Sequence, residues 1–355
     1  MIDKIDIVLQ ATGDHAHSIT AAFVNGLRSA GLLHKAFYPR AAWGANTLID
    51  DDGLAKYLRV PGKIPLLLVG FDWHSQPLHN TEKWRNLWKQ CGRRKVMYLH
   101  EDVSNYEVLT GKADMSKAFY EASLLVDGIV YTSPTDEIIV NSTGRPNVWL
   151  PYGVDESVFY PVNSFSKRKN RAYFRGKTMP FGSEREYSDR RLYLDTLKAE
   201  NLVDHPPFVQ GNISVEQLTA ELNEYRIVLG LPSVFSGFPC RITEGMACGC
   251  VMVAKRPQSG LEKNLFREGE EIVYFDDERS LIAVVNELIG SPGSAQRIAS
   301  RGCELVRNKF SMKSQMIEIA KWIATEVPES SGASMNGSRW NHALDGIRMI
   351  FSRRR

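Results

Sequence analysis

The chain has 355 residues, 43% hydrophobic and 24% charged, with a formal net charge of +3. That is an ordinary globular composition, long enough for two domains that each bury a core. A basic excess this small argues against a generic nucleic-acid binder, since the basic stretches Lys167–Arg175 and Arg353–Arg355 are local. No apolar run reaches the length of a bilayer span, and the opening Met1–Leu9 reads as a strand with charges in it and not as a signal peptide, so a cytoplasmic location is expected. Five cysteines without a C-x-x-C pair indicate neither a disulfide frame nor a zinc site. Cys248 and Cys250, flanking Gly249, read as small residues filling a tight helix–strand corner, and no resident metal is expected.

Short apolar strands alternate with amphipathic helices along the first half. Ile5–Gln10 reads as a strand. Ser18–Ala30 has helical spacing in Ile19, Ala22, Phe23 and Leu27, with Ser18 as N-cap and Gly31 as the residue that ends it. Asp50-Asp51-Asp52-Gly53 has the form of a metal-binding Asp-x-Asp but reads as an exposed acidic turn. Ile64–Val69 is a buried-strand run. Asn80–Cys91 is a helix with Trp84, Leu87 and Trp88 on one face. Lys95–Leu99, Ile129–Thr132 and Val148–Leu150 are further strands. The alternation predicts a parallel, doubly wound sheet, whose ligands bind at the carboxyl ends of the strands.

Residues 1–150 thus form a first Rossmann-like domain, and the turn-rich, polar stretch 151–170 reads as an interdomain linker. The pattern then restarts over 171–327. Strands are expected at Ala172–Arg175, Phe208–Gly211, Arg226–Leu231, Val251–Ala254 and Glu271–Phe275. Helices are expected at Arg190–Glu200, Ser214–Tyr225, Leu281–Leu288 and Ala295–Phe310. Ser214 with Gln217 has the spacing of a capping box. Residues 328–339 are a low-complexity linker. Beyond them Trp340, Leu344, Ile347 and Phe351 form one apolar helical stripe, expected to pack on the body of the protein and cross back to the first domain. A weak peripheral contact of Arg353–Arg355 with acidic lipid is the alternative.

Four stretches carry a specific pattern: Leu150-Pro151-Tyr152-Gly153-Val154-Asp155 with Phe159-Tyr160-Pro161; Phe174-Arg175-Gly176-Lys177; Leu231-Pro232-Ser233, Ser236-Gly237-Phe238 and Glu244-Gly245-Met246-Ala247-Cys248-Gly249; and Gly269-Glu270-Glu271-Ile272 through Phe275. Together they resemble the nucleotide-binding half of GT-B glycosyltransferases, within them the group 1, family 4-like enzymes and their CgeB-like relatives. The resemblance implies an α/β GT-B fold: two Rossmann-like domains facing a central cleft, the first for the acceptor and the second for the nucleotide sugar. It implies a glycosyltransferase of the hexosyl type that moves a sugar from a nucleotide-diphosphate donor to a hydroxyl acceptor. Retention of configuration, no cofactor beyond the donor substrate and no nucleic-acid partner go with it.

The residue chemistry suits that reaction. Negative charge grows on the leaving diphosphate and must meet fixed positive groups or dipoles. Arg175, Lys177 and Arg241 are candidate clamps, with Gly176 and the Gly237 and Phe238 amides beside them. Arg190, taken alone, reads as a surface cation. Glu244 can accept hydrogen bonds from two vicinal hydroxyls, which the resemblance makes the donor ribose. Ser236 departs from the family pattern, which places a sugar-contacting glutamate there. Ser can bond a sugar hydroxyl but carries no charge. In the first half, His100-Glu101-Asp102 follow a strand directly, and His15 and His17 follow another. His100, with Glu101, is the candidate sugar contact, and His15 or His17 a candidate general base. Two alternatives stay open: an inverting enzyme with a His base, and a catalytically degenerate sugar-nucleotide-binding protein.

Overall fold

The computed structural model describes residues 2–9, 16–38, 52–70, 82–99, 103, 115–178, 187–206, 213–232 and 239–329. The chain forms two compact units, residues 1–150 with 315–355, and residues 151–314.

The first unit is built on six parallel strands: β1 (Ile5–Leu9), β2 (Leu33–Phe37), β3 (Leu66–Val69), β4 (Lys95–Leu99), β5 (Gly128–Tyr131) and β6 (Asn147–Trp149). Their order is β2-β1-β3-β4-β5-β6. The order reverses between β1 and β3, the topological switch point of a doubly wound sheet. The four inner strands β1, β3, β4 and β5 are buried because both faces are covered. Leu66, Leu68, Met97, Leu99, Ile129 and Tyr131 lie in one core with Trp84, Trp88 and Phe119. Tyr98, one residue out of step, packs edge-on against Phe23, ring centroids 4.6 Å apart. The helices are α1 (Ala16–Ser29), α2 (Asp52–Leu58), α3 (Glu82–Gln90), α4 (Met115–Ser123) and α5 (Glu137–Ser142). Helix α1 ends as expected at Gly31, where the Leu32 N–H reaches the Leu27 carbonyl. Its start differs. Ser18 is the third helical residue and cannot be the N-cap. The expected acidic turn at 50–53 is also revised in part. Asp52 and Gly53 open α2, drawn into a helix by the burial of Leu54, Ala55 and Leu58, while Asp50 and Asp51 lie outside the described residues.

One charge in β1 is fully buried. The Asp6 carboxylate accepts from Tyr57 Oη at 2.6 Å, sits 2.7 Å from His34 Nδ1 and lies 3.5 Å from Arg93 Nη1. The Arg93 guanidinium also covers the Tyr57 ring at 4.3 Å. A buried ion pair held this way is tolerated because nearly every lone pair has a partner.

The second unit has five parallel strands: β7 (Lys169–Tyr173), β8 (Val203–Asp204), β9 (Tyr225–Gly230), β10 (Val251–Lys255) and β11 (Val273–Phe275), in the order β11-β10-β9-β7-β8. Its helices are α6 (Ser188–Ala199), α7 (Val215–Glu224), α8 (Arg241–Ala247), α9 (Glu278–Gly290) and α10 (Pro292–Lys309). Alternate strand residues separate two cores. Tyr173, Val228, Met252 and Ala254 face α7 and α8. Ala172, Phe174, Ile227, Leu229, Val251 and Val253 face α6 and α9. Ser214 caps α7 through the Gln217 N–H at 3.1 Å, but the Gln217 side chain turns to Glu221, so only half of the expected box forms. The expected strand Phe208–Gly211 lies outside the described residues, and β8 precedes it.

Residues 151–168 are tied into this unit. Val154 N–H donates to the Phe310 carbonyl at 2.9 Å. Asn223 accepts from Val162 N–H at 2.7 Å and donates to the Tyr160 carbonyl at 3.0 Å. Arg168 is buried and donates to Asn223 Oδ1 at 3.0 Å and to the Cys248 carbonyl at 2.8 Å, the C-terminal end of α8.

A last helix, α11 (Met312–Thr325), returns to the first unit. Trp322 and Val327 lie over Gly128, where an added Cβ would come within 2.8 and 2.9 Å of them. Arg94 Nη1 donates to the Ile323 carbonyl at 3.2 Å. α11 is thus a returning segment; the expected helix over 340–351 lies outside the described residues. Among the described residues no helix is long and apolar enough to cross a membrane.

Candidate functional site

Helix α8 is where the second unit brings its sequence signature to the strand exits. It follows β9 and packs so closely that it needs small residues. A Cβ on Gly245 would sit 2.4 Å from Met252 Sδ, and one on Gly230 2.8 Å from Ile242. At its far end Gly249 takes φ +74°, and the Gly249 and Cys250 N–H groups close back on the Met246 and Gly245 carbonyls. Cys248 and Cys250 are fully buried in this corner, as expected from their size. Burial pushes the Cys250 thiol up to about 12, which leaves it an inert filler. Among the described residues no group of three His, Cys, Asp or Glu side chains is placed to hold a metal.

At its near end, α8 begins with Arg241. The guanidinium lies 4.7 Å over the Phe174 ring, just past the end of β7. It fits there because residue 176 is glycine: an added Cβ would meet Phe174 Cζ at 2.9 Å and Arg241 Nη2 at 3.0 Å. Arg241 Nη1 is buried and finds no hydrogen-bond acceptor among the described residues. A buried N–H left in that state costs about 1–3 kcal/mol, and an anion supplied by a ligand removes the cost. Three residues on, Glu244 lies half-buried on the same helix. Burial pushes its carboxyl pKa up, opposed by the Arg241 charge and the Cys240 thiol. Burial and then the Glu244 charge raise Cys240 to about 12.

Arg190 corrects the surface-cation expectation. It is only 3% exposed, because the third position of α6 faces the sheet. Its Nε donates to the Pro232 carbonyl at 2.8 Å and its Nη1 to the Lys177 carbonyl at 2.6 Å. The guanidinium lies 5.3 Å from the Phe174 ring centroid and 4.5 Å from that of Tyr187. Tyr187 holds the left-handed conformation at φ 58°, a strained state for a bulky residue, immediately before α6. Desolvation, then the Arg241 charge, lowers the Arg190 pKa. The backbone gives no sequence-level sign of this; the signal available was Phe174, an aromatic at a strand exit with arginines on both flanking helices.

Arg175 points the other way from Phe174, as neighbours past a strand do. Its Nη1 is 3.2 Å from Glu221 Oε1 on α7, and Glu221 also accepts from Tyr173 Oη. Gly176 offers its carbonyl to His205 Nε2 at 3.5 Å. Lys177 contributes the carbonyl that Arg190 grips. Thus Gly176, Lys177, Arg241 and Glu244 gather around Phe174 and α8, while Arg175 is drawn to Glu221. Ser236, Gly237 and Phe238 lie outside the described residues.

In the first unit His15, His100, Glu101 and Asp102 also lie outside the described residues, and His17 falls in α1 with its side chain undescribed. The residues on either side of 100–102 are described. Thr132 Oγ1 donates to the Leu99 carbonyl at 3.4 Å, and the buried Asp136 carboxylate accepts from Val103 N–H at 3.1 Å. Asp136 was not singled out from sequence; an acidic residue after Pro134 resembles any turn.

Comparison with known proteins places this geometry in a class. Residues 185–321 match the family model described as glycosyl transferase-like. No curated protein sequence matches the chain. Among solved structures, sucrose-phosphate synthase from Thermosynechococcus elongatus is similar over 90% of this chain and 99% of its own, with TM-score 0.58 at 15% identity. HepE from Anabaena in complex with UDP gives 89%, 99%, 0.55 and 11%. An alpha-glucosyltransferase in complex with UDP and a 13-mer DNA gives 90%, 100%, 0.59 and 12%. The fold is that of these GT-B glycosyltransferases, with two Rossmann-like domains.

Proposed function

We propose that this protein transfers a sugar from a nucleoside-diphosphate sugar, with UDP as the first nucleotide to test, to a hydroxyl acceptor. The observation that carries the reading is Arg241 at the start of α8, whose buried Nη1 finds no acceptor among the described residues, with Glu244 one turn along the same helix. An anion completes Arg241, and a carboxylate one turn away suits the vicinal hydroxyls of a ribose. Both residues fall inside the segment that matches the glycosyl transferase-like model, and neighbours in fold are complexed with UDP. The cationic pair Arg241 and Arg190 supplies positive charge against the leaving diphosphate, so the reaction is proposed to run without a metal. Retention of configuration, with the diphosphate taking the acceptor proton, belongs to the same proposal. Ser236 then meets the sugar through a hydroxyl. A nucleic-acid or membrane partner forms no part of it.

The test is a thermal-shift panel of UDP, GDP, ADP, TDP and CMP on wild type and Glu244→Ala. A ligand at 100 times its Kd adds about 2.7 kcal/mol to stability. One diphosphate is expected to shift the wild type and to shift the variant less. No shift from any nucleotide sinks the donor-site reading. Turnover that survives EDTA and NMR of the product anomer then decide metal use and stereochemistry.

A further inference from the structure

We propose that Arg190 is a positioning residue for the donor diphosphate, acting through Arg241 and the two strand-exit loops without touching the ligand. The inference rests on the donor-site reading above.

Four observations converge on it. Arg190 is 3% exposed, too deep for direct contact. It donates to carbonyls on both sides of the site, Lys177 after β7 and Pro232 after β9, and so sets the spacing between the loops that flank Arg241. It shares the Phe174 ring with Arg241, at 5.3 and 4.7 Å. Among the described residues no carboxylate forms an ion pair with Arg190, although buried charges are ordinarily paired, and Arg241 has only the electrostatic pull of Glu244. Two cations are therefore held near one another by an aromatic ring and backbone carbonyls.

That arrangement has a physical consequence. Carbonyls and a π face stabilise Arg190 but leave its net charge uncancelled. In a medium less polarisable than water its field reaches past Arg241. It repels the Arg241 guanidinium, which keeps that side chain from turning back into the α6 side of the sheet. It also adds a second positive charge behind the point where negative charge grows as the sugar–phosphate bond breaks. The left-handed Tyr187 stores local strain to bring its ring 4.5 Å from the Arg190 guanidinium, as expected where geometry serves a site.

The experiment compares two ligands by calorimetry: inorganic pyrophosphate, which carries the anion alone, and uridine, which carries none. The variants are Arg190→Met, which keeps the length and removes the charge, and Arg190→Lys, which keeps the charge and loses the two-carbonyl bridge. Arg190→Met is expected to weaken pyrophosphate by about tenfold or more, the size of one charge interaction at intermediate dielectric, with uridine unchanged. Arg190→Lys should fall between it and the wild type. If Arg190→Met does not fold, Arg190→Lys is read alone, and it must weaken pyrophosphate more than uridine. Equal weakening of both ligands, or pyrophosphate affinity within twofold of wild type in a folded Arg190→Met, overturns the proposal. Failure of the donor-site reading looks different: the wild type itself then binds neither pyrophosphate nor any nucleoside diphosphate.

Discussion

Gly176→Ala is the most economical perturbation of the site, because it adds a single methyl group at a known place. The new Cβ would lie 2.9 and 3.1 Å from two atoms of the Phe174 ring and 3.0 Å from Arg241 Nη2. Phe174 is fully buried, with Arg190, Arg241 and His205 all within 6 Å of its ring, so it has little room to yield. The end of the Arg241 side chain is the part that moves. Overpacking of this kind costs about 1–3 kcal/mol, and the reduced freedom of the unfolded chain returns about 0.4–1 kcal/mol. The net loss is about 1–2 kcal/mol, read as a Tm lower by roughly 2–8 °C for a unit of this size. A displaced Arg241 loses one charge-assisted contact with the diphosphate, worth about 1.5–3 kcal/mol, or roughly 10- to 100-fold in UDP affinity. Differential scanning fluorimetry and calorimetry with UDP give both numbers. A lower Tm with unchanged UDP affinity would refute the placement of Arg241 on the phosphates, and an unchanged Tm would refute the packing argument itself.

Two other outcomes are expected. Glu244→Gln should raise Tm at pH 8 while weakening UDP by about 10- to 100-fold. The sign follows from the upward pKa shift: burial penalises the charged form, so stability is lost as pH rises through the folded-state pKa. The gain over wild type should therefore fade as the pH drops towards the ordinary carboxylate range, about 4.3, and a Tm gain independent of pH contradicts that cause. Asp6→Asn should destabilise the first unit by about 3–5 kcal/mol in urea titration, because Arg93 is left buried without its counter-charge. UDP affinity, which the proposed donor site assigns to the second unit, should stay at the wild-type value.

The legible parts of this protein were those where one physical effect acts alone. Leu66–Val69 and Val251–Ala254 are continuous apolar runs, and they are strands because burial on both faces leaves no other use for them. Trp84, Leu87 and Trp88 share one helical face, and all three are buried. The glycines and small residues of 244–250 announced the close α8 corner, and the corner is there. What escaped were elements set by tertiary partners. β2 is half polar, since it lies at the sheet edge, and β8 has only two residues. α11 is capped by Ser311, which accepts from the Ser314 N–H at 3.2 Å, but its partner Gly128 is far away in sequence. At the site, Arg175 and Arg241 looked equivalent as clamps. The alternation past β7 turns Arg175 away from Phe174, where Arg241 lies, and only coordinates reveal that Glu221 waits for Arg175. Arg190 was misjudged because charge predicts exposure, and here two carbonyls and two rings replaced water.

The return of α11 to the first unit also sets an order of events at the ribosome. The second unit is one continuous stretch of chain and can fold as soon as it emerges. The first unit is not: the residues that cover Gly128 and hold Arg94 emerge only after 151–314 have been made. At about 5–20 residues per second the earlier half waits on the order of ten to thirty seconds with the base of β5 uncovered. The half that begins synthesis first is therefore the half that finishes folding last, and a nascent chain stalled before α11 would present the uncovered base of β5 to chaperones.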